Sequence, residues 1–286
     1  MTEPEMPFLE HLQELRQRLI ISLIALFIGM ALAWTFALSA LTVIQRPLTQ
    51  PSLTKKLQYH LETFLQQKYP QLAEQLHLEP PALAVPERKL NYMAPLEPFF
   101  VQMKLSLIMG LILALPVILY QVWKFIAPGL YGHEKKYVYL FIPVGTVAFI
   151  LGDFFFLYLV WPLIVAFSLG YESATLYPLL NLTQYVNFCL RLLLLFGLIF
   201  ELPLILLILA RLGVVKLDFL VRQRKLALLL SLVVAAFHAD LITMTMVALP
   251  LYGMYEISIL VIRLIGGRRS KEAATPPETP LPPAPA

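Results

Sequence analysis

Long apolar stretches separated by short polar segments account for most of the chain. Five of them exceed the roughly 20 mostly apolar residues that a helix needs to cross a bilayer core. They lie at about 19–44, 101–126, 137–167, 188–212 and 241–265. A sixth, at about 226–237, is short and ends in a polar step at 237–240. It could be re-entrant, but two short spans joined by a tight turn also fit, with local bilayer thinning. We prefer two spans, so the pattern predicts an all-α polytopic membrane protein with six transmembrane helices.

The polar segments divide the chain further. Residues 8–19 carry one apolar stripe at helical spacing, Phe8, Leu12, Leu15 and Leu19, which predicts an amphipathic helix at the membrane surface leading into the first span. An insertion at about 45–100 has helical spacing at Leu57, Leu61, Phe64 and Leu65 and at Leu72 and Leu76, and predicts an amphipathic external cap. We therefore expect an N-terminal helix over 1–18, a membrane domain over 19–266 and a disordered Pro-rich tail over 267–286.

Composition supports a membrane protein and excludes other classes. Charged residues make up 14% of the 286 residues and apolar residues 59%, against roughly 25% and 45–50% in soluble domains. One cysteine permits no internal disulfide, and a net charge of +4 is too small and scattered to indicate nucleic acid. Metalloprotease, nucleophile-elbow and phosphate-loop motifs are absent from the sequence, so neither an enzyme nor a cofactor is expected. Acidic residues near the start, Glu3, Glu5, Glu10 and Glu14, argue against a cleaved signal peptide.

The distribution of basic residues predicts the orientation. With the N-terminus inside, the inside segments hold 14 of the 22 Lys and Arg residues, and the short outside segments 168–187 and 238–240 hold none. Positive charge concentrates on the cytoplasmic side of membrane proteins. Both termini are therefore expected in the cytoplasm.

Several polar residues are candidates for function. Glu201 lies in the middle of the fourth span, just before Pro203. At that depth its carboxyl must be protonated or face a partner or water. Three interpretations stay open: a neutral Glu bonded to a neighbouring helix, a docking site for another protein's helix, and a proton relay. Asp153, near the middle of the third span, has no assigned role, and Arg191 is expected to snorkel to the outer interface.

Carboxylates also gather on the predicted cytoplasmic side. Glu14 and Glu134 both fall there, and such a cluster would suit a cationic ligand, since guanidinium binds carboxylate in a bidentate, geometrically specific way. The simpler interpretation of Glu14 is an i, i+4 ion pair with Arg18, worth about 0.3–0.5 kcal/mol.

Ordered runs of residues resemble one known family, TatC, the multi-spanning subunit of the twin-arginine protein translocase. The runs are FLEHLQELRQRL at 8–19, QRPL at 45–48, LEPFF at 96–100, MKLS at 103–106, LPVILYQVWKFIAPGLY at 115–131, HEKK at 133–136 and GLIFELP at 197–203. The sequence departs from the family between the last two spans, where His238 and Ala239 precede the retained Asp240 and Met244 replaces a polar Gln. The insertion and the tail are also additional.

The resemblance implies a receptor with six helices in a concave, glove-like bundle. Signal peptides of folded precursors would bind at the cytoplasmic face, with their two arginines on Glu14 and Glu134 and with Leu15, Arg16 and Phe125 nearby. Glu201, Asp240 and Thr243 would help to dock the single-span partners TatA and TatB. Structural roles would fall to Pro47, Glu97, Pro128 and Pro203.

The resemblance also implies further TatC copies and membrane lipid as partners, a bacterial cytoplasmic or thylakoid-type membrane, and the proton-motive force as the energy source. Two alternatives come from other classes: a proton-coupled small-molecule transporter using Glu201 and Asp153, and an intramembrane enzyme.

Overall fold

The computed structural model describes residues 8–50, 53–68, 88–126, 135–170, 178–211, 213–236 and 241–273. Within these ranges every regular element is helical, and one backbone bridge joins Asn91 to Asn181. The chain divides into two compact units, Met1–Glu201 and Leu202–Ala286. The expected all-α architecture is confirmed.

The first unit holds the helices from the N-terminal part of the described residues. They are α1 (Phe8–Ala33), α2 (Ala37–Thr49), α3 (Leu53–Lys68), α4 (Glu97–Ile126), α5 (Lys135–Phe155) and α6 (Trp161–Leu169). A 3-10 turn, Trp34–Phe36, joins α1 to α2, and a π-helical turn, Phe156–Val160, joins α5 to α6. α7 (Leu182–Arg211) begins in this unit and ends in the second.

Five helical stretches in the described part of the chain are long and apolar enough to cross a membrane. They are Leu12–Thr49, Glu97–Phe125, Phe141–Leu169, Leu182–Arg211 and Met244–Leu264. Many of their side chains point outward, such as Phe27 and Leu113, which are 64% and 56% exposed. Outward-facing apolar side chains are what a lipid environment requires, so the chain is a multi-pass membrane protein.

The sixth predicted span corresponds to a short helix, α9 (Arg224–Ala236), of 13 residues. It is shorter than the roughly 20 residues of an ordinary span, as the sequence indicated. The polar step at 237–240, with His238, Ala239 and Asp240, lies outside the described residues. In the predicted cap, Leu61 and Phe64 fall on α3, as expected from their spacing, whereas Leu72 and Leu76 lie outside the described residues.

α1 and α4 form the closest helix pair of the first unit, and they cross at two glycines. A Cβ atom on Gly29 would lie 2.5 Å from the carbonyl oxygen of Gly110, so neither position has room for a side chain. Small residues allow this approach between membrane helices, where the hydrophobic effect does not drive association. Ala33 of α1 and Val101 of α4 are also buried.

Pro47 lies inside α2 and marks a joint between three helices. Proline lacks a backbone donor, and its ring disturbs the preceding turn. In that turn the Ile44 carbonyl accepts hydrogen bonds from the Trp161 indole nitrogen (2.9 Å) and the Tyr185 hydroxyl (3.0 Å). Side chains from α6 and α7 thus satisfy a backbone acceptor on α2, as the bilayer interior demands.

The starts of α4 and α7 are tied together. The Asn91 amide donates to the Leu180 carbonyl (2.8 Å), and the Leu182 amide donates to the Asn91 carbonyl (2.7 Å). Asn181 caps α7 by accepting from the Gln184 amide, and its side-chain nitrogen lies 3.5 Å from a Glu97 carboxylate oxygen. Glu97 stands in the first turn of α4, where a negative charge is favourable.

The second unit contains α8 (Leu217–Arg222), α9 and α10 (Leu241–Ala273). The Tyr255 hydroxyl donates to the Leu220 carbonyl (2.7 Å), which holds α10 to α8. Arg224 pairs with Glu256 across 2.9 Å, and the Tyr252 hydroxyl donates to the other Glu256 oxygen (2.8 Å). These contacts join the first turn of α9 to α10 by polar groups.

Candidate functional site

The register between α1 and α4 brings two sequence-predicted residues to one level. Gly29 of α1 meets Gly110 of α4. Arg18, eleven residues before Gly29, meets Gln121, eleven residues after Gly110, so the two helices run antiparallel. Because Glu14 precedes Arg18 by four residues and Phe125 follows Gln121 by four, the same register places Glu14 level with Phe125. The structure therefore places at the same level two residues that are 111 positions apart in the sequence.

Arg18 lies at the centre of this level. One terminal nitrogen, Nη2, donates to Glu14 Oε1 at 2.7 Å, and the other, Nη1, donates to Gln121 Oε1 at 3.2 Å. The side chains of Arg18 and Glu14 are 18% and 21% exposed, and Gln121 is buried. The ion pair predicted between Glu14 and Arg18 is confirmed, and it is anchored to the neighbouring helix.

Exposed residues lie close to Glu14 in the sequence of α1. Arg16 points outward, and Leu12, Leu15 and Leu19 are 45%, 42% and 59% exposed. The described part of the predicted apolar stripe, Leu12, Leu15 and Leu19, is therefore an open surface on the same helix as the carboxylate. Such a surface can hold a cation with its aliphatic stem or an apolar segment beside it.

Glu134 and Pro128 lie outside the described residues, so the second predicted carboxylate has no position here. Asp240 also lies outside them. Thr243 falls in the first turn of α10, and its side chain is outside the described set. These residues stay predictions.

Glu201 lies on α7, two residues before Pro203, and is buried. Its Oε1 atom has no hydrogen-bond partner among the described residues. Glu201 is thus a buried carboxyl within an apolar helix. A buried acceptor without a partner is costly in hydrocarbon and invites a donor from elsewhere.

A second buried carboxyl lines a cavity of the first unit. Asp153 is 5% exposed, and within the described part of the chain both its carboxyl oxygens lack a hydrogen-bond partner. The cavity has a volume of about 450 Å³ and is otherwise almost wholly apolar, with Phe36, Ile108, Leu157 and Leu193 among its walls. The chemistry available there is hydrogen bonding by one carboxyl.

Sequence reasoning missed Gln121. It lies one turn before Phe125 on the same helix, within the run LPVILYQVWKFIAPGLY, and this spacing was the available signal. The pairing of Lys104 with Asn187, at 2.9 Å between Nζ and Oδ1, was also missed, because it joins α4 to α7 across 83 residues. No three His, Cys, Asp or Glu side chains of the described residues come together as a metal site would require.

The fold and its polar groups define a class: an all-helical, multi-pass membrane protein with a carboxylate at one end of its closest helix pair. Comparison with known proteins narrows the class. Residues 10–250 match the family described as Sec-independent protein translocase protein (TatC). The chain belongs to this family.

Individual TatC proteins are similar in sequence to nearly the whole of this chain. The TatC protein of Aquifex aeolicus is 36% identical over 273 residues, covering 93% of this chain and 98% of that protein. The TatC protein of Magnetococcus marinus is 36% identical over 274 residues, covering 95% and 89%. A crystal structure of the twin-arginine translocase receptor TatC matches with a TM-score of 0.68 and 34% identity, covering 90% of this chain and 99% of that one. These matches lend no support to a small-molecule transporter.

Proposed function

We propose that this TatC-family subunit of the Sec-independent translocase binds twin-arginine signal peptides of folded precursor proteins at its cytoplasmic face. Glu14 would receive one arginine and Glu134 the other, while Leu15, Arg16 and Phe125 would border the path of the peptide. A structure similar to this chain is described as a twin-arginine translocase receptor, which supports the assignment.

One observation carries the proposal: Glu14 lies level with Phe125, on a helix whose Leu12, Leu15 and Leu19 are exposed. A guanidinium is permanently charged and forks onto a carboxylate through two parallel hydrogen bonds. Apolar neighbours exclude water and so strengthen that pairing. An Arg-Arg pair followed by an apolar segment fits a helix that carries both a carboxylate and an exposed apolar stripe.

The intramembrane carboxyl supports a second role. The buried Glu201 oxygen needs a donor, and a single-span helix with a polar side chain would supply one. We propose that Glu201, Asp240 and Thr243 form the docking site for the single-span helix of TatA or TatB. Further copies of the chain and lipid would complete the complex.

The remaining features concern the cellular setting. The protein would lie in a bacterial cytoplasmic membrane or a thylakoid-type membrane, with both termini in the cytoplasm. The proton-motive force would drive transport, and the subunit itself would act as a receptor without an enzymatic step.

Site-specific photocrosslinking tests signal binding. A peptide that bears Arg-Arg before an apolar segment is crosslinked to the full chain in membranes, and compared with its Lys-Lys version. Wild type should crosslink near 8–19 and 125–136, and Glu14→Gln and Glu134→Gln should each reduce the yield at least tenfold, since each loses a charge-assisted pair. The Lys-Lys peptide should crosslink weakly.

Asp218→Asn is the matched control, because it makes the same chemical change at an exposed carboxylate in the first turn of α8. Its crosslinking should equal that of wild type. Unchanged crosslinking in both glutamate variants, with the protein well inserted, would refute the proposed site.

A further inference from the structure

The Glu14 carboxylate already holds a guanidinium in this structure. Arg18 Nη2 lies 2.7 Å from Glu14 Oε1, a short distance typical of charge-assisted hydrogen bonds. The group that is proposed to receive an arginine of the cargo is thus occupied by an arginine of the chain itself.

This contact is more than an ordinary pair along one helix. An exposed i, i+4 pair is mobile and weak, but here both side chains are about four-fifths buried and the second Arg18 nitrogen is held by Gln121 of α4. The Arg18 Nε atom is buried and, among the described residues, has no hydrogen-bond partner. Arg18 is therefore held between α1 and α4 by Glu14 and Gln121, while its Nε hydrogen has no acceptor among the described residues.

An incoming guanidinium meets two obstacles at this site. One carboxylate oxygen already accepts from Arg18, so a guanidinium that pairs with both oxygens must compete with Arg18 for that oxygen. In addition, the positive charge of Arg18 lies within a few ångströms and opposes a second cation. Both effects favour binding to a receptor from which Arg18 has left Glu14.

We propose that Arg18 is a built-in competitor that occupies Glu14 in the resting receptor and is displaced when a signal arginine binds. The inference rests on the proposed role of Glu14 in signal binding. Gln121 keeps its hold on the displaced side chain, so Arg18 returns when the signal departs.

A competitor of this kind weakens all ligands by the same factor. The apparent dissociation constant rises by the inverse of the fraction of receptor in which Glu14 is free. The ratio of the dissociation constants of good and poor ligands does not change. At a concentration where a good ligand still binds, however, a poor ligand no longer occupies the receptor. Arg18 thereby sets the threshold that a basic N-terminal segment must exceed.

Equilibrium binding to the full chain in lipid nanodiscs tests the proposal. Fluorescence anisotropy of the labelled Arg-Arg peptide and its Lys-Lys version is measured for wild type and Arg18→Gln. Arg18→Gln should lower both dissociation constants by the same factor, roughly three- to tenfold. This factor corresponds to a wild-type receptor in which Glu14 is free in roughly one third to one tenth of the molecules. The ratio of the two constants should stay at its wild-type value.

Two further variants separate the possible causes. Arg222→Gln makes the same change of charge at an exposed arginine on α8, and should leave both constants unchanged. Arg18→Met removes the charge with an apolar side chain of similar length, and should reproduce the tightening if Arg18→Gln does not fold.

The outcomes distinguish this inference from the function beneath it. Weaker or unchanged binding in a folded Arg18 variant overturns the competitor, and a changed ratio would make Arg18 a selectivity group instead. Glu14→Gln reports on the proposed function itself: if it binds like wild type, signal recognition at Glu14 fails, whatever Arg18 does.

Discussion

At the scale of single residues, the two glycines at the α1–α4 crossing have the clearest mechanical role. Gly29 and Gly110 let the backbones touch, and the register that follows sets Arg18 against Gln121 and Glu14 level with Phe125. A change at the crossing should therefore affect stability and the distant polar site together.

Gly110→Ala tests this role. The new Cβ would overlap the backbone of Met30, so the helices must separate. We expect the free energy of unfolding to fall by about 1–3 kcal/mol, the usual cost of overpacking, and the crosslinking yield at 8–19 to fall with it. Unfolding in detergent followed by circular dichroism measures the first effect.

Gly253→Ala is the control, since a Cβ atom there meets nothing within 4 Å and the residue lies inside α10. It should be neutral or stabilising by up to about 1 kcal/mol, as alanine favours helix over glycine. Equal stability of the two variants would contradict the close crossing.

At the scale of helices, polar groups fix contacts that apolar surfaces leave open. The Ile44 carbonyl joins α2 to α6 and α7 through Trp161 and Tyr185, while Asn91 and Asn181 join the starts of α4 and α7. Lipid tails are as apolar as leucine, so such bonds and close packing select the neighbours of each helix.

Tyr185→Phe should lower the free energy of unfolding by about 0.5–1.5 kcal/mol, the usual net contribution of an intramolecular hydrogen bond. The change removes one of two donors to a carbonyl in an apolar layer. Tyr158→Phe is the matched control: its hydroxyl lies 3.4 Å from an Arg46 nitrogen at an exposed position, so its loss should cost almost nothing. Equal costs for the two variants would show that the hydrogen bond from Tyr185 to the Ile44 carbonyl does not stabilise the protein.

At the scale of the whole molecule, the distribution of charge predicts the orientation. Leu179, before α7, and Val214, after it, are exposed at 70% and 69%, so each accepts a labelled cysteine with little cost. The native Cys189 is buried and is removed by Cys189→Ala. In intact cells an impermeant maleimide should label Leu179→Cys at once, and Val214→Cys only after the membrane is permeabilised. The reverse pattern would invert the proposed topology.

Much of the fold follows from the sequence because a bilayer imposes a simple rule. A helix that crosses it needs about 20 mostly apolar residues, which is why five spans were recognisable, and why α9 was recognisably short. The helix at 53–68 followed from the spacing of Leu57, Leu61 and Phe64. The rule does not determine which helices pack against each other. The contacts of Lys104 with Asn187 and of Arg18 with Gln121 were therefore not predicted.

The site divides in the same way. The sequence by itself determined the helical class, the family motifs, the Glu14–Arg18 pair within one turn, and the depth of Glu201, because these depend on local spacing and on the cost of charge in lipid. Only the tertiary structure decided that Gln121 anchors Arg18 and that Phe125 lies level with Glu14. The physical reason is the close approach at Gly29 and Gly110, which fixes the register of two helices that apolar pattern alone leaves free to slide.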